Sequence, residues 1–313
     1  LRLWVAATDY RGEMTVSEEI FKRVADAYRR IRNTGRFMLA NLNGFDPQSD
    51  TVHPDDLMAL DYWIVRQCQL LQQDVIEYYH DYNFLNVYQK IHNFCVIELG
   101  GFYLDVIKDR QYTTQVDSLA RRSTQSAMYH ILEMFSRMIA PILSFTADEI
   151  WQNIPGERAA SVLLSDFDDS VAELDEAENF SDQFWRQVMA VKTAINKELE
   201  TKRAEKLVGS GLSAEIDLYC DPPLAELLSQ LEEELRFVMI VSRASIHTLE
   251  NAQNGAVETE VDGLRLTVTA STHDKCERCW HHRQDVGEVA AHPTLCHRCV
   301  DNIEGDGELR RFA

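Results

Sequence analysis

Cys276-Glu-Arg-Cys279 and Cys296-His-Arg-Cys299 place four thiols in two knuckles separated by sixteen residues. Two Cys-x-x-Cys pairs at this separation match the pattern of a four-thiolate zinc site. Zinc takes soft ligands at about 2.3 Å in a tetrahedron, and each knuckle can wrap two thiolates around one side of the ion. Four protein ligands close the shell to water and substrate, so the expected Zn2+ is single and structural. Residues 274–313 hold few large apolar side chains, which makes metal binding a main source of their folding free energy. Two disulfides are the competing use of these cysteines. The total of seven is odd, and Cys68, Cys95 and Cys220 stand singly in apolar surroundings, as packed small side chains do. No signal peptide or membrane-length apolar run occurs. That pattern fits a reducing cytoplasm. His281, His282, His292 and His297 could replace a thiolate; with four cysteines present they are expected as surface or RNA-facing groups.

The net charge is −20 over 313 residues, which taken alone argues against a nucleic-acid partner. Placement of the basic residues decides the matter. Arg29, Arg32 and Arg36 recur at i, i+3 and i+7 and share a helix face with Lys22. An arginine stripe suits phosphate, because each planar fork donates two parallel hydrogen bonds. The competing use is pairing with nearby acids, and Arg32 with Asn33 is also read as an interior tie between helices. A second group is Lys192, Lys197, Lys202, Arg203 and Lys206. The third is the tail, with Arg278, Trp280, Arg283, Arg298, Arg310 and Arg311 among six Lys and Arg against eight acids. An exposed aromatic beside forked cations suits unpaired RNA bases, which are read by stacking and edge hydrogen bonds. Trp280 packed over the metal site is the alternative. Phosphate-loop, serine-elbow and His-Glu-x-x-His motifs are absent, and no catalytic constellation assembles from the remaining residues.

These groups need a scaffold, and the apolar periodicity supplies one that is mainly α. Long amphipathic helices are expected over residues 17–42, 55–79, 83–108 and 116–141, with a short one over 145–151, giving a helical bundle at 1–156. Ser17 is the expected N-cap of the first of these. A solvated acidic connector is expected at 157–183, carrying Asp166, Asp168, Asp169, Glu173, Asp175, Glu176, Glu178 and Asp182 with no Lys or Arg beyond residue 158. A small α+β module is expected at 184–272. It comprises a helix over 184–206, strands at 213–220 and 245–249, a helix over 222–241, and a hairpin turning at Asp262-Gly263. The zinc ribbon or knuckle fills 273–313. The chain begins at Leu1 inside an apolar pattern, as expected of a piece of a longer protein.

Leu1-Arg-Leu-Trp-Val, Tyr28-Arg-Arg-Ile-Arg-Asn-Thr34, Pro141-Ile-Leu-Ser-Phe-Thr-Ala-Asp-Glu-Ile-Trp151 and the terminal knuckles together resemble the C-terminal part of the bacterial isoleucyl-tRNA synthetase family, over essentially the whole chain. The Arg-Ile-Arg-Asn-Thr and Asp-Glu-Ile-Trp segments are shared with the valine and leucine enzymes of class I. The four-cysteine tail is the discriminating element. The resemblance implies a cytoplasmic ligase that joins isoleucine to its tRNA using ATP and Mg2+. It implies that this region docks the anticodon stem-loop of tRNA(Ile), with a monomer as the expected state. The His-Ile-Gly-His and Lys-Met-Ser-Lys-Ser signatures of the family's nucleotide-binding domain do not occur here, nor does its editing domain. Both would act in cis from outside this stretch, leaving no catalytic residue within it. The rival readings are a valine or leucine ligase fragment, a zinc-ribbon DNA binder of the formamidopyrimidine glycosylase type, and a purely structural zinc module.

Overall fold

The structure, a computed structural model, describes residues 1–167 and 173–313. In chain order the helices of the first half are α1 (Arg2–Ala6), α2 (Glu18–Asn41), α3 (Ala59–His80) and α4 (Phe84–Asn93). A π-helical segment (Phe94–Tyr103), α5 (Leu104–Val106), α6 (Lys108–Thr113), α7 (Leu119–Ile139) and α8 (Ser144–Trp151) follow. The second half holds α9 (Asp182–Ala204), β1 (Ala214–Cys220), α10 (Pro222–Ser229), α11 (Leu235–Met239), β2 (Arg243–Thr248), β3 (Val257–Glu258), β4 (Leu264–Ala270) and α12 (His297–Glu304). Two compact units form: residues 1–105 with 121–176, and residues 106–120 with 177–313. Segment 106–120 therefore leaves the helices around it in sequence and folds with the C-terminal half, a grouping that composition does not mark.

In the first unit α2 begins where Ser17 Oγ accepts from Ile20 N at 3.2 Å, with Glu18 and Glu19 at the positive end of the helix dipole. Its inner face is Ala27, Ile31, Thr34, Gly35 and Met38. A polar tie crosses the core. Fully buried Asp61 accepts from Tyr103 Oη at 2.7 Å and Ser123 Oγ at 2.5 Å, linking α3, the π-helical segment and α7. The π winding interrupts the single helix expected over 83–108. It brings the carbonyls of Cys95 and Val96 to within 2.8 and 3.0 Å of where Cβ atoms on Gly100 and Gly101 would sit. Each is the carbonyl five residues earlier, so the glycine pair makes this i→i+5 turn sterically possible.

The Asp148-Glu-Ile-Trp151 segment organises the end of this unit. Asp148 Oδ1 accepts from Ser161 Oγ and Val162 N, fixing the start of the connector. Trp151 lies under the guanidinium groups of Arg137 and Arg158 at 4.6 and 4.8 Å, and both arginines pair with Glu133 at 2.7 Å. The connector is not wholly solvated, because Leu174 is buried and its backbone meets Gln69 and Arg66 of α3. Asp168 and Asp169 lie outside the described residues.

The second unit is a four-stranded sheet of order β2-β1-β4-β3, with β1 and β2 parallel and the other pairs antiparallel. Parallel pairing demands a crossover, which α10 and α11 provide. The single helix expected over 222–241 is broken at Glu232, whose φ of +48° ends regular winding. On α9, Trp185, Val188, Val191, Ile195 and Leu199 form the buried stripe, and the alternate residues Leu264, Leu266 and Val268 are the buried face of β4. The hairpin turns at Gly263 (φ +73°), where an added Cβ would lie 2.3 Å from Asp221 Oδ2. Asp221 is also the N-cap of α10, accepting from Leu224 N at 3.0 Å. Gly263→Ala is expected to destabilise this unit by about 2–3 kcal/mol through left-handed strain plus loss of the cap. A urea titration should show a lower midpoint at unchanged slope.

Candidate metal centre and its surroundings

The four knuckle cysteines converge. All are buried and free of disulfides, and their Sγ atoms lie within 4.8 Å of one another. Cys279 and Cys296 Sγ are 3.7 Å apart. A tetrahedron with metal–sulfur bonds of about 2.3 Å has edges of about 3.8 Å, so the quartet has zinc dimensions, whereas a disulfide would need about 2.05 Å. Backbone contacts shape the knuckles: Trp280 N donates to Cys276 O at 2.9 Å, and Cys276 N donates to His281 O at 2.9 Å. Cys296 opens α12, so the positive end of that helix faces the thiolates of Cys296 and Cys299. The apolar support is slight: among the described residues, the partly buried apolar side chains packed on the quartet are Val286 and Leu295. A cluster this small cannot hold two loops without the metal.

Beside the quartet lies a second centre made of charge. Asp109, on α6, receives both Nη groups of Arg298 at 2.6 and 2.8 Å and also pairs with Arg310. His281 Nε2 stands 3.5 Å from the same carboxylate, while its Nδ1 meets Arg236 Nη1 at 3.3 Å. Glu308 joins Arg298 and Arg310 at 3.3 and 3.0 Å. The ring of Phe237 is covered by Arg298 and Arg310, 4.8 and 3.3 Å from its centroid. Burial alone would raise the Asp109 pKa; the charges of Arg298 and Arg310 and the bonds from Arg298 and His281 outweigh it and hold the carboxyl well below its usual range. Burial lowers His281 and pushes Arg236 down to about 10. Nearby, the Glu234 carboxylate accepts the three successive amides of Arg311, Phe312 and Ala313.

These contacts settle where the candidate RNA-facing residues stand. Lys192 is buried and donates to Val238 O at 2.7 Å. Arg298 and Arg310 belong to the Asp109 cluster, and Arg278 donates to Thr113 O at 2.5 Å. Arg32 binds Glu149 of α8 at 2.7 Å, the helix tie that its position allowed, while Asn33 is exposed. Lys192, Arg298 and Arg310 are committed to buried partners and are withdrawn from the RNA-facing set, whereas Arg32 and Arg278 are half-buried and keep part of the side chain at the surface. The surface expectation for His281 is corrected too, because it is 2% exposed beneath Asp109. Arg29 is exposed with a surface pair to Asp26, and Arg36 is exposed and makes no side-chain hydrogen bond or ion pair among the described residues. Trp280 is 60% exposed, so it does not cap the metal as packing. It adopts φ +66°, rare for a bulky side chain, and Lys275 Nζ lies 5.3 Å above its ring. Arg283 is half-buried and Arg311 exposed. Asp109, Glu234 and Glu308 were missed from sequence. Isolated acids in an acidic chain carry no local signal of burial.

Residues 61–218 match the model of the anticodon-binding domain of tRNA ligases, and residues 274–302 match that of a zinc finger found in FPG and IleRS. The chain belongs to the tRNA ligase anticodon-binding family. It is similar over its whole length to proteins named isoleucine–tRNA ligase: 58% identical to those of Pseudomonas aeruginosa strain LESB58 and Azotobacter vinelandii, and 56% to that of Shewanella putrefaciens. It spans about a third (33%) of the length of these curated relatives.

Two outcomes follow from the paired centres. Cys296→Ser should abolish stoichiometric zinc in metal analysis of the purified chain, since a hydroxyl replaces one of four soft ligands. Asp109→Asn should cost about 3–5 kcal/mol, because Arg298 and Arg310 lose their buried counter-ion. The depressed Asp109 pKa means that the folded state binds fewer acid protons than the unfolded chain. Its stabilisation is therefore present above the ordinary carboxylate pKa of about 3.9 and is lost as pH falls through the depressed value. The acid limb of the wild-type stability curve should flatten in Asp109→Asn.

Proposed function

We propose that this chain is the C-terminal, RNA-docking part of an isoleucine–tRNA ligase and that it holds the anticodon stem-loop of tRNA(Ile). The whole protein joins isoleucine to that tRNA at the expense of ATP, in the cytoplasm and as a monomer. ATP, Mg2+ and the chemistry belong to domains outside these residues. The observation that carries the reading is similarity at 58% identity across all 313 residues to named isoleucine–tRNA ligases. The zinc-finger match over 274–302 favours isoleucine over the valine and leucine enzymes.

The surface chemistry supports the same reading. With a net charge of −20, most of the protein repels RNA, and exposed cations such as Arg29, Arg36 and Arg311 mark where phosphate is tolerated. Repulsion elsewhere penalises misplaced complexes. Trp280 supplies the stacking face. Its left-handed backbone follows the Cys276–Cys279 knuckle, so bound Zn2+ would hold the indole outward; the ion's contribution is to fix the four thiolates, and it takes part in no bond making.

Binding of purified tRNA(Ile) to the chain, measured by fluorescence anisotropy at fixed salt, tests the proposal. Trp280→Ala should weaken it by about 1–3 kcal/mol, the worth of one stacked base. Equal affinity for tRNA(Ile) and an unrelated tRNA would contradict the assignment. Unchanged affinity in Trp280→Ala would remove the indole from the interface.

A further inference from the structure

We infer that a cavity between β2 and the first knuckle receives a single nucleobase unstacked from RNA, an inference that rests on the tRNA-docking reading above. The cavity, about 360 Å³, is walled by Ser242 and Arg243, by His273, and by residues of the 282–288 turn. Its charges argue against phosphate. Two arginines, Arg243 and Arg283, face three carboxylates, those of Glu215, Asp285 and Glu288, and Arg243 is already bound to Glu215 at 2.7 Å. A phosphate, which only accepts hydrogen bonds, would meet a surplus of acceptors. A neutral base offers both donors and acceptors along one edge.

Unspent hydrogen-bonding capacity points the same way. Arg283 Nε is 3.7 Å from Asp285 Oδ1, too far for a hydrogen bond, and its terminal nitrogens make none among the described residues. Gln284, exposed at the rim, likewise makes no side-chain hydrogen bond among the described residues, leaving an amide that both donates and accepts. His282 is oriented by a 2.7 Å contact from Nδ1 to His273 O, which leaves Nε2 and the ring face available. Lys275 pairs with His282 across the knuckle and covers the Trp280 ring. The cavity wall and the exposed indole are thus parts of one turn, so a base seated in the cavity and a neighbour stacked on Trp280 can come from the same loop.

The test is a mutant cycle with the 313-residue chain and the anticodon stem-loop of tRNA(Ile), each loop nucleotide replaced in turn by an abasic residue. At one loop position, removing the base should weaken wild-type binding about tenfold, and the same replacement should have little further effect in Gln284→Ala or Arg283→Ala. At the other positions the effects should multiply independently. Multiplicative effects at every position would overturn the cavity assignment while leaving tRNA docking intact. Failure of the wild-type chain to bind any stem-loop would overturn both. Gln284 is exposed and unbonded, so its variant should fold as the wild type does, which a thermal melt verifies.

Discussion

A single carboxylate, Asp109, binds two arginines that lie 189 and 201 positions later in the chain. Burying it alone would be prohibitive, and burying Arg298 or Arg310 alone equally so. With Glu308, whose carboxylate pairs with both arginines, they form a mutually neutralised group whose geometry tolerates little displacement, since the Arg298 fork must meet both oxygens of Asp109. Such a pair contributes little net stability compared with an apolar core, but it specifies which surfaces meet. The cysteine tail has scarcely any apolar surface to specify that otherwise, so segment 106–120 and the tail are registered by charge.

The metal quartet and the charged cluster divide the work. Four thiolates with zinc dimensions can close the two knuckles locally, while Arg298, next to Cys299, and His281, two residues after Cys279, reach into the cluster. Each knuckle is therefore tied to the body of the unit by side chains in or beside it, the first also through Arg278 to Thr113 O. Trp280 stands between Cys279 and the buried His281, and its indole points outward because both flanking residues are held inward. The outward-facing chemistry of the tail is a by-product of these inward commitments.

A comparable economy appears in the helical unit. The Asp148-Glu-Ile-Trp151 segment uses each of its four side chains differently: Asp148 anchors the connector, Glu149 holds Arg32, Ile150 fills the space over Gly35, and Trp151 carries two arginines. Arginines that look available in the sequence are absorbed by this packing. On the α2 stripe it is Arg32 that this packing engages, while Lys22, Arg29 and Arg36 remain surface groups.

The sequence by itself determined the helix-rich first half, the α9 stripe, the Asp-Gly hairpin and the zinc quartet, because each is written in spacings shorter than about twenty residues. Periodicity, capping and metal-ligand spacing act locally, and local rules can be read in one dimension. Only the tertiary structure decided that residues 106–120 join the C-terminal half, that helix 83–108 passes through a π turn, and that Lys192, Arg278, Arg298 and Arg310 bind internal partners. The regrouping of 106–120 and the fate of the basic side chains depend on partners more than forty positions away, while the π turn is a local interruption at the Gly100–Gly101 pair that helical periodicity does not show. A basic side chain looks the same in sequence whether its counter-ion is a phosphate or a buried aspartate, and only three-dimensional proximity chooses between them.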